Sequence, residues 1–230
     1  VKIYLNALVG KLFTIENLMN EKGFSAVYVG TGAGLPYMMN IPGKNLKGVS
    51  TANEFLTRVN LMRSFDFPNA ATPLQVGSSV VVVGGGNVAM DAARTALRVG
   101  AGEVHLVYRR SEVEMPARNE EIHHAKEEGV NFHLLTNPTA LFGDDEDRLV
   151  EVECVKMKLG EPDDSGRRRP VVDEGSEFRM AAQTFVFAIG QGPNPVLSSA
   201  TPGLKTSKWG QIEVDENRMT SIPGVFAGGD

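Results

Sequence analysis

A run of four valines followed by three glycines constrains this chain most. Residues 80–89 read V-V-V-V-G-G-G-N-V-A, and the apolar run has the length and composition of a strand buried on both faces. A helical pattern follows at residues 88–99. A glycine turn placed between such a strand and a helix predicts a dinucleotide site. In that site Gly84 permits the tight turn, Gly86 lets a pyrophosphate approach the backbone, and Ala89 lets the helix pack on the strand.

Further strands and a helix follow this turn in alternation. Residues 104–108 and 130–135 read as strands, with a helical pattern at residues 118–128 between them. Residues 184–189 form another buried strand, which ends at Gly190. The β-α-β-α-β order predicts a right-handed parallel sheet, and the first helix would offer its N-terminal N–H groups to phosphates. The alternative is a glycine turn that holds no ligand.

The residues after the second strand decide which dinucleotide fits. NAD sites usually carry Asp or Glu there, about 20 residues beyond the glycines, to bind the ribose 2′-hydroxyl. This chain has Arg109 and Arg110 instead, and Arg118 begins the next helix. Because guanidinium groups bind phosphates with forked hydrogen bonds, the pattern predicts NADPH. The alternative is surface ion pairs with nearby acidic residues, namely Glu112, Glu114 and Glu120.

Glycine clusters follow two other apolar segments. Residues 26–29 lead into Gly30, Thr31 and Gly32, and residues 225–227 lead into Gly-Gly-Asp230. A proline and no amphipathic helix follow the first cluster, so we interpret it as a loop at a strand end, where bare backbone can lie close to a ligand. The Asp230 carboxylate suits a flavin ribityl hydroxyl, and the alternative is an ordinary Gly-Asp turn.

Alternation, helix caps and turn residues predict the remaining elements. These are strands at residues 1–5 and 211–214, helices at residues 14–22 (with Thr14 as the N-cap) and 51–62, a linker at residues 67–76, and a β-meander of segments 149–159, 170–172 and 177–180. The arginines at 167–169 are interpreted as solvated residues of a turn beside Asp163 and Asp164.

Composition argues against several classes of protein. The chain is 42% hydrophobic with a net charge of −5, it lacks an apolar run of about 18 residues and a signal peptide, and it has no long basic run for nucleic acid. One cysteine, Cys154, cannot form an internal disulfide or a cysteine-rich metal site, which suits a reducing cytoplasm. Adjacent His123 and His124 point about 100° apart on a helix, so they cannot bind one metal ion together. We assign no metal site and no catalytic residue.

Five strings occur in an order that is typical of one group of proteins. They are G-T-G-A-G-L-P, A-N-E-F-L-T-R-V-N-L-M, G-G-G-N-V-A-M-D-A-A-R-T-A-L-R, V-Y-R-R-S-E-V-E-M-P-A-R and G-V-F-A-G-G-D. The chain resembles the small (beta) subunit of NADPH-dependent glutamate synthase and the NADP-binding subunit of ferredoxin:NADP transhydrogenase. The resemblance covers essentially all 230 residues.

This resemblance implies an α/β fold in which a Rossmann-like NADPH-binding domain is inserted into an FAD-binding domain, as in the flavoproteins with two dinucleotide-binding domains. Residues 1–75 would be a partial FAD-binding domain and linker, residues 76–190 the NADPH-binding domain, and residues 191–230 the return segment of the FAD-binding domain. The implied activity is hydride transfer between NADPH and FAD, with electrons leaving through iron–sulfur clusters to a larger partner subunit.

The resemblance also assigns cofactor-binding roles to the candidate residues. The pyrophosphate would lie on Gly84, Gly86, Asn87, Val88 and Ala89. The 2′-phosphate would meet Arg109, Arg110 and Arg118. Gly190 closes the same unit, Gly30, Thr31 and Gly32 would lie near FAD or at the domain junction, and Asp230 would meet the ribityl chain.

The chain departs from this group in what it lacks. A cysteine-rich N-terminal region and a first FAD fingerprint are missing, so we expect a piece of a longer protein that holds FAD poorly and is incomplete on its own. Two other functions stay open. One is a non-catalytic nucleotide-binding or adaptor module that docks a partner subunit. The other is a self-contained dehydrogenase, for which no Tyr-x-x-x-Lys pair or placed histidine base is found.

Overall fold

Strands dominate the computed structural model, which describes residues 1–163 and 166–229. In chain order the strands are β1 (Val27–Val29), β2 (Leu35–Pro36), β3 (Val49–Thr51), β4 (Ser79–Val83), β5 (Glu103–Tyr108), β6 (Asn131–Leu134), β7 (Thr136–Gly143), β8 (Leu149–Pro162), β9 (Arg168–Val172), β10 (Phe178–Ala181), β11 (Thr184–Phe187), β12 (Gln191–Gly192) and β13 (Val225–Ala227). The α-helices are α1 (Ala52–Leu56), α2 (Asn87–Arg98), α3 (Asn119–Glu127) and α4 (Pro195–Ser199). Single turns of π-helix at Asn17–Glu21 and Thr57–Leu61 and of 3₁₀-helix at Ser64–Asp66 and Glu112–Glu114 complete the helical elements of these ranges.

The chain divides into two compact units. One is formed by Val1–Pro36 together with the chain from Gln191 onward, and the other by Tyr37–Gly190. The sequence division placed residues 37–75 with the first domain instead. In the structure this segment contributes β3, which pairs in parallel with β11 of the central sheet, so it packs with the larger unit.

The larger unit is built on a five-stranded parallel sheet with the order β3-β11-β4-β5-β6. The predicted strands at 79–83, 104–108, 130–135 and 184–189 are confirmed, as are the two helices between them. From β4 the chain adds β5 and β6 on one side of the sheet, and it adds β11 on the other. The strand order therefore reverses at β4, directly beside the glycine turn.

Successive valines of β4 point to opposite faces of the sheet, and each face is covered by other elements. Val80 and Val82 join a cluster with the alanine-rich face of α2, whereas Val81 and Val83 face Phe185 and the antiparallel strands β7, β8 and β10. The whole of β4 is buried. Strand β7 was not predicted, because Pro138 reads as a strand breaker; the structure accommodates it beside a register shift in the β7–β8 pair.

Ion pairs join α2 to both ends of α3. The Arg94 guanidinium lies 2.6 Å from a Glu121 carboxylate oxygen and 2.8 Å from a Glu128 oxygen, which also lies 2.7 Å from Arg98. The hydrogen bond from Arg94 holds the pKa of Glu128 below its ordinary value. This network stabilises the α2–α3 pair that flanks the glycine turn.

Two histidines pair across neighbouring strands of the sheet. His105 Nδ1 and His133 Nε2 lie 3.0 Å apart. Burial lowers the pKa of His133 from its ordinary 6.5, and the nearby charges of His105 and Lys156 lower it further. Below pH 6.5, His133 therefore binds a proton more readily in the unfolded chain than in the folded one. The free energy of unfolding falls as the pH falls for this reason. We expect His133→Gln to reduce the loss of unfolding free energy between about pH 7.5 and about pH 5.5.

Urea unfolding at the two pH values measures this effect. The exposed His123, which lies 3.1 Å from Glu127, supplies a control in His123→Gln. An unchanged pH dependence in His133→Gln would show that His133 does not set the acid sensitivity of the fold.

The smaller unit has a separate apolar core. Strand β1 pairs in parallel with β13, β12 pairs with β2, and the buried residues between these elements are Ile15, Val29, Leu197, Val225 and Ala227. Thr14 caps the helical turn as predicted, since its hydroxyl accepts a 3.0 Å hydrogen bond from the Asn17 N–H.

Two predicted strands of the smaller unit were wrong. Residues 1–5 form no strand; Ile3 and Leu5 are more than four-fifths exposed, and in the described ranges no strand pairs with this segment. Residues 211–214 make only isolated bridges, from Ile212 to Thr206 and from Val214 to Thr220. Alternation alone predicted strands in both places, but a strand also needs a neighbour with which to share hydrogen bonds.

Candidate functional site

A cavity of about 520 Å³ opens where the carboxyl ends of β4, β5 and β11 meet. Open α/β sheets bind ligands at such a point, where the strand order reverses, and the volume falls within the range of roughly 300–1,000 Å³ typical of ligand pockets. Its lining comprises Tyr37, Met39, Val83, Gly84, Gly85, Gly86, Val107, Tyr108, Arg109, Arg110, Pro116, Thr136, Asn137, Arg167, Ala188, Ile189 and Gly190. Five of the predicted residues are among them: Gly84, Gly86, Arg109, Arg110 and Gly190.

The first and third glycines of the turn have different surroundings. Gly84 has φ +147°, its N–H donates to the Val107 carbonyl, and a Cβ at this position would overlap the carbonyl oxygen of Ala188. Gly86 has an ordinary φ of −93°, and a Cβ there would meet only Pro116, 3.9 Å away. Gly84 is thus required by the protein's own packing, whereas Gly86 leaves an open backbone surface at the cavity.

The middle glycine and Tyr108 form a contact that sequence reasoning missed. A Cβ on Gly85 would lie 2.6 Å from the Tyr108 ring, so only glycine allows the ring to lie there. The Tyr108 hydroxyl donates to the Glu114 carbonyl at 2.7 Å, and the Ala117 N–H donates to the Gly85 carbonyl at 3.0 Å. Tyr108 reads in sequence as a strand residue, and nothing in its spacing signals that it links the glycine turn to the following loop.

The loop between β5 and α3 is held in place from both of its ends. Ser111 and Glu114 form a reciprocal capping box, in which Glu114 Oε2 accepts from the Ser111 N–H at 3.1 Å. Asn87 Oδ1 accepts a 2.9 Å hydrogen bond from the Arg118 N–H. The Asn87 side chain therefore orders the start of α3 and does not line the cavity.

The other two predicted residues of the turn also lie outside the cavity lining. Val88 is 42% exposed on the first turn of α2, and Ala89 is fully buried beneath that helix. Ala89 thus sits where a close helix–strand contact requires a small side chain. The Ala89 N–H donates to the Gly86 carbonyl, whereas the N–H groups of Asn87 and Val88 belong to the first turn of α2, where helix N–H groups favour an anion.

The three predicted arginines have three different environments. Arg109 is exposed, lines the cavity, and makes no ion pair with any residue in the described part of the chain. Arg110 is only 5% exposed; its Nε donates to the Arg168 carbonyl and its Nη2 to Asp163 Oδ2, each at 2.7 Å. Arg118 lies outside the lining, with a 70% exposed side chain 3.5 Å from Glu121.

The alternative to a phosphate site was ion pairing of the arginines with nearby acidic residues. In the described part of the chain, two of those acidic residues have other partners. Glu112 instead pairs with Lys126 at 2.6 Å, and Glu114 accepts hydrogen bonds from Ser111. Arg110 is ion-paired, but with Asp163, which follows β8. Arg109 thus contributes a positive charge at the carboxyl end of β5 that no acidic residue of the described ranges pairs with.

A second cavity, of about 470 Å³, lies within the smaller unit. Thr31, Gly32, Asn194 and Arg218 line it, together with glycines that follow β13. Gly30 is not part of the lining, and a Cβ added to it would lie 3.4 Å from the Tyr28 ring. Asp230 lies outside the described residues.

Among the described residues, the other reactive groups form no second catalytic or metal centre. Burial raises the pKa of the Cys154 thiol to about 12, so it stays protonated at neutral pH. Across residues 1–163 and 166–229, no group of three or more histidine, cysteine or acidic side chains is placed to hold a metal ion. Within the same ranges no helix is long and apolar enough to cross a membrane.

Comparison with known proteins identifies several relatives. Residues 10–230 match the family model described as pyridine nucleotide-disulphide oxidoreductase. The whole chain is 46% identical to the NADP(+)-dependent formate dehydrogenase subunit beta of Moorella thermoacetica and 37% identical to the glutamate synthase [NADPH] small chain of Halomonas elongata. It spans 31% and 49% of the lengths of these two relatives.

Solved structures share the fold at lower identity. Mycobacterium tuberculosis FprA in complex with NADPH superposes with a TM-score of 0.76 at 22% identity, over 97% of this chain and 61% of that one. Lactococcus lactis thioredoxin reductase gives 0.65 at 24% identity, over 89% and 57%. The predicted α/β fold class and the resemblance to the glutamate synthase small subunit are confirmed.

Proposed function

We propose that this chain, which belongs to the pyridine nucleotide-disulphide oxidoreductase family, is the NADPH-binding part of a flavin oxidoreductase. One observation carries the proposal. An exposed arginine, Arg109, stands at the carboxyl end of β5, where an NAD site would have a carboxylate, and it lines the same cavity as the glycine turn. This combination favours a dinucleotide that carries a 2′-phosphate.

The residues present fit such a cofactor. The open backbone at Gly86 and the N–H groups at the start of α2, which belong to Asn87 and Val88, suit a pyrophosphate. Arg109 suits the 2′-phosphate, and Arg118 is exposed enough to join it by a side-chain rotation. Gly84 and Ala89 act by letting the turn and the helix pack closely. When bound, NADPH supplies a hydride, and the chain's own residues hold and orient the nucleotide.

A flavin is the proposed acceptor of that hydride. Thr31, Gly32 and Arg218 offer hydroxyl, backbone and guanidinium groups to the second cavity, and these groups suit ribityl hydroxyls and phosphates. In this proposal the smaller unit, with Gly30 and Asp230, belongs to the FAD-binding domain of the whole protein. The larger unit, which Gly190 closes, is the NADPH-binding domain.

The relatives' names bear on the partner. The Moorella thermoacetica relative is named as a beta subunit and the Halomonas elongata relative as a small chain. We infer that the whole protein passes electrons to a larger subunit, and that it does so in the cytoplasm. A purified protein that holds no flavin and binds its partner with or without nucleotide would favour the alternative, a non-catalytic adaptor module.

Removal of the Arg109 charge tests the proposed nucleotide site. We expect Arg109→Ala to weaken NADP⁺ binding about 10- to 100-fold and to leave NAD⁺ binding unchanged, because the variant lacks charge-assisted hydrogen bonds to the 2′-phosphate only. Titration calorimetry measures both dissociation constants.

A matched control removes a charge elsewhere on the same unit. Arg98 is an arginine on α2 whose side chain is 60% exposed and which lies outside the cavity, so Arg98→Ala should change neither dissociation constant. Equal losses for NADP⁺ and NAD⁺ in Arg109→Ala would contradict the assignment of Arg109 to the 2′-phosphate.

A further inference from the structure

Arg110 holds the two ends of the turn between β8 and β9. Its Nη2 donates to Asp163, just after β8, and its Nε donates to the carbonyl of Arg168, the first residue of β9. Its own carbonyl accepts from the Leu135 N–H at 3.1 Å. The guanidinium is almost completely buried by these contacts. Arg110 therefore ties this turn to the carboxyl ends of β5 and β6.

The turn itself carries another arginine to the cavity. Hydrogen bonds of 2.8 Å run from the Asp163 N–H to the Arg167 carbonyl and from the Gly166 N–H to the Asp163 carbonyl. Arg167 is exposed and lines the 520 Å³ cavity together with Arg109. Arg110 is bonded to Asp163, four positions before Arg167, and to Arg168, the residue after it, so it constrains the position from which Arg167 reaches the cavity.

The charges of Arg110 and Asp163 offset one another. Arg110 is only 5% exposed and already donates to a carbonyl and a carboxylate, so it is poorly placed to reach a ligand phosphate. Arg109 and Arg167, which extend into the cavity from β5 and from the β8–β9 turn, are the cations placed at its solvent-exposed edge. A 2′-phosphate between them would receive hydrogen bonds from two separate segments.

We propose that Arg167 is a further binding residue for the adenosine 2′-phosphate, and that Arg110 is a positioning residue that acts through it. This inference rests on the proposed function, since the ligand is the phosphate that distinguishes NADPH from NADH. The sequence predicted that Arg110 contacts the 2′-phosphate. We assign that contact to Arg167 instead, which the sequence placed in a solvated turn.

The probes are adenosine 2′,5′-bisphosphate and adenosine 5′-monophosphate, which differ by the 2′-phosphate alone. The measured quantity is the ratio of their Kd values for the 230-residue protein. We expect Arg167→Ala to reduce this selectivity about tenfold. The control is Arg169→Ala, since Arg169 is exposed on the same hairpin but does not line the cavity; its selectivity should match the wild type.

A double-mutant cycle separates positioning by Arg110 from direct contact. If Arg110 acts through Arg167, Arg110→Gln lowers the selectivity in the wild type and has no further effect once Arg167 is alanine. If the double variant instead loses selectivity by the product of the two single losses, Arg110 contacts the phosphate independently, and the positioning role is overturned. If Arg110→Gln does not fold, Arg167→Ala still tests the proposal, because this substitution lies on the surface. An unchanged selectivity in Arg167→Ala overturns the proposal.

The two Kd values distinguish a failure of the NADPH site from a failure of the Arg167 assignment. A wild-type protein that binds both probes equally contradicts the proposed function itself. A selective wild type whose selectivity survives Arg167→Ala leaves the NADPH proposal standing and removes Arg167 from the site.

Discussion

Replacing Gly84 by alanine is expected to lower the free energy of unfolding by about 3 kcal/mol or more. The residue has φ +147°, which L-amino acids rarely adopt, and the new methyl group would overlap the carbonyl oxygen of Ala188 at the end of β11. Relief of that overlap requires the carboxyl ends of β4 and β11 to separate. Urea unfolding followed by circular dichroism measures the effect.

The neighbouring Gly86→Ala variant is the matched control. A methyl group there has room in the protein and meets only Pro116 at 3.9 Å, so stability should be close to that of the wild type. The same methyl group covers the open backbone proposed for the pyrophosphate, so NADP⁺ binding should weaken. If Gly84→Ala were as stable as Gly86→Ala, the close approach of β4 to β11 would not be a constraint on this fold.

Truncation of Phe185 is expected to cost about 3–5 kcal/mol of stability. The side chain is fully buried on β11 and lies edge-on to Phe187, with ring centroids 4.9 Å apart. It belongs to the cluster between the parallel sheet and the antiparallel strands, so Phe185→Ala leaves a cavity between two layers.

Phe65 provides the comparison for this second experiment, because it is the same residue type and is 62% exposed. Phe65→Ala should change the unfolding free energy by about 0.5 kcal/mol or less. Similar losses in the two variants would mean that the cluster around Phe185 does not hold the two layers together.

Local patterns predicted the centre of this fold well. Strand β4 and helix α2 follow from four valines, a glycine turn and an alanine-rich face, since each property acts over a few neighbouring residues. Pairing between distant segments could not be predicted in the same way. Residues 1–5 have the alternation of a strand but no partner, and β7 forms despite Pro138 because β8 pairs with it around a register shift.

The candidate site shows the same division. Spacing alone grouped Gly84, Gly86 and Arg109, which belong to one β-α-β segment and line one cavity. Arg110 shares its local sequence with Arg109, yet it is buried against Asp163, which lies 53 positions later in the chain. Neither this ion pair nor the arrival of Arg167 at the cavity has a local signature, since both depend on where the β8–β9 hairpin packs.

Titration of the unaltered 230-residue protein with NADP⁺ and with NAD⁺ tests the central claim most directly. An exposed arginine at the end of β5, beside an open glycine backbone, predicts that NADP⁺ binds at least about tenfold more tightly. Equal affinity for the two nucleotides, or tighter binding of NAD⁺, would contradict it.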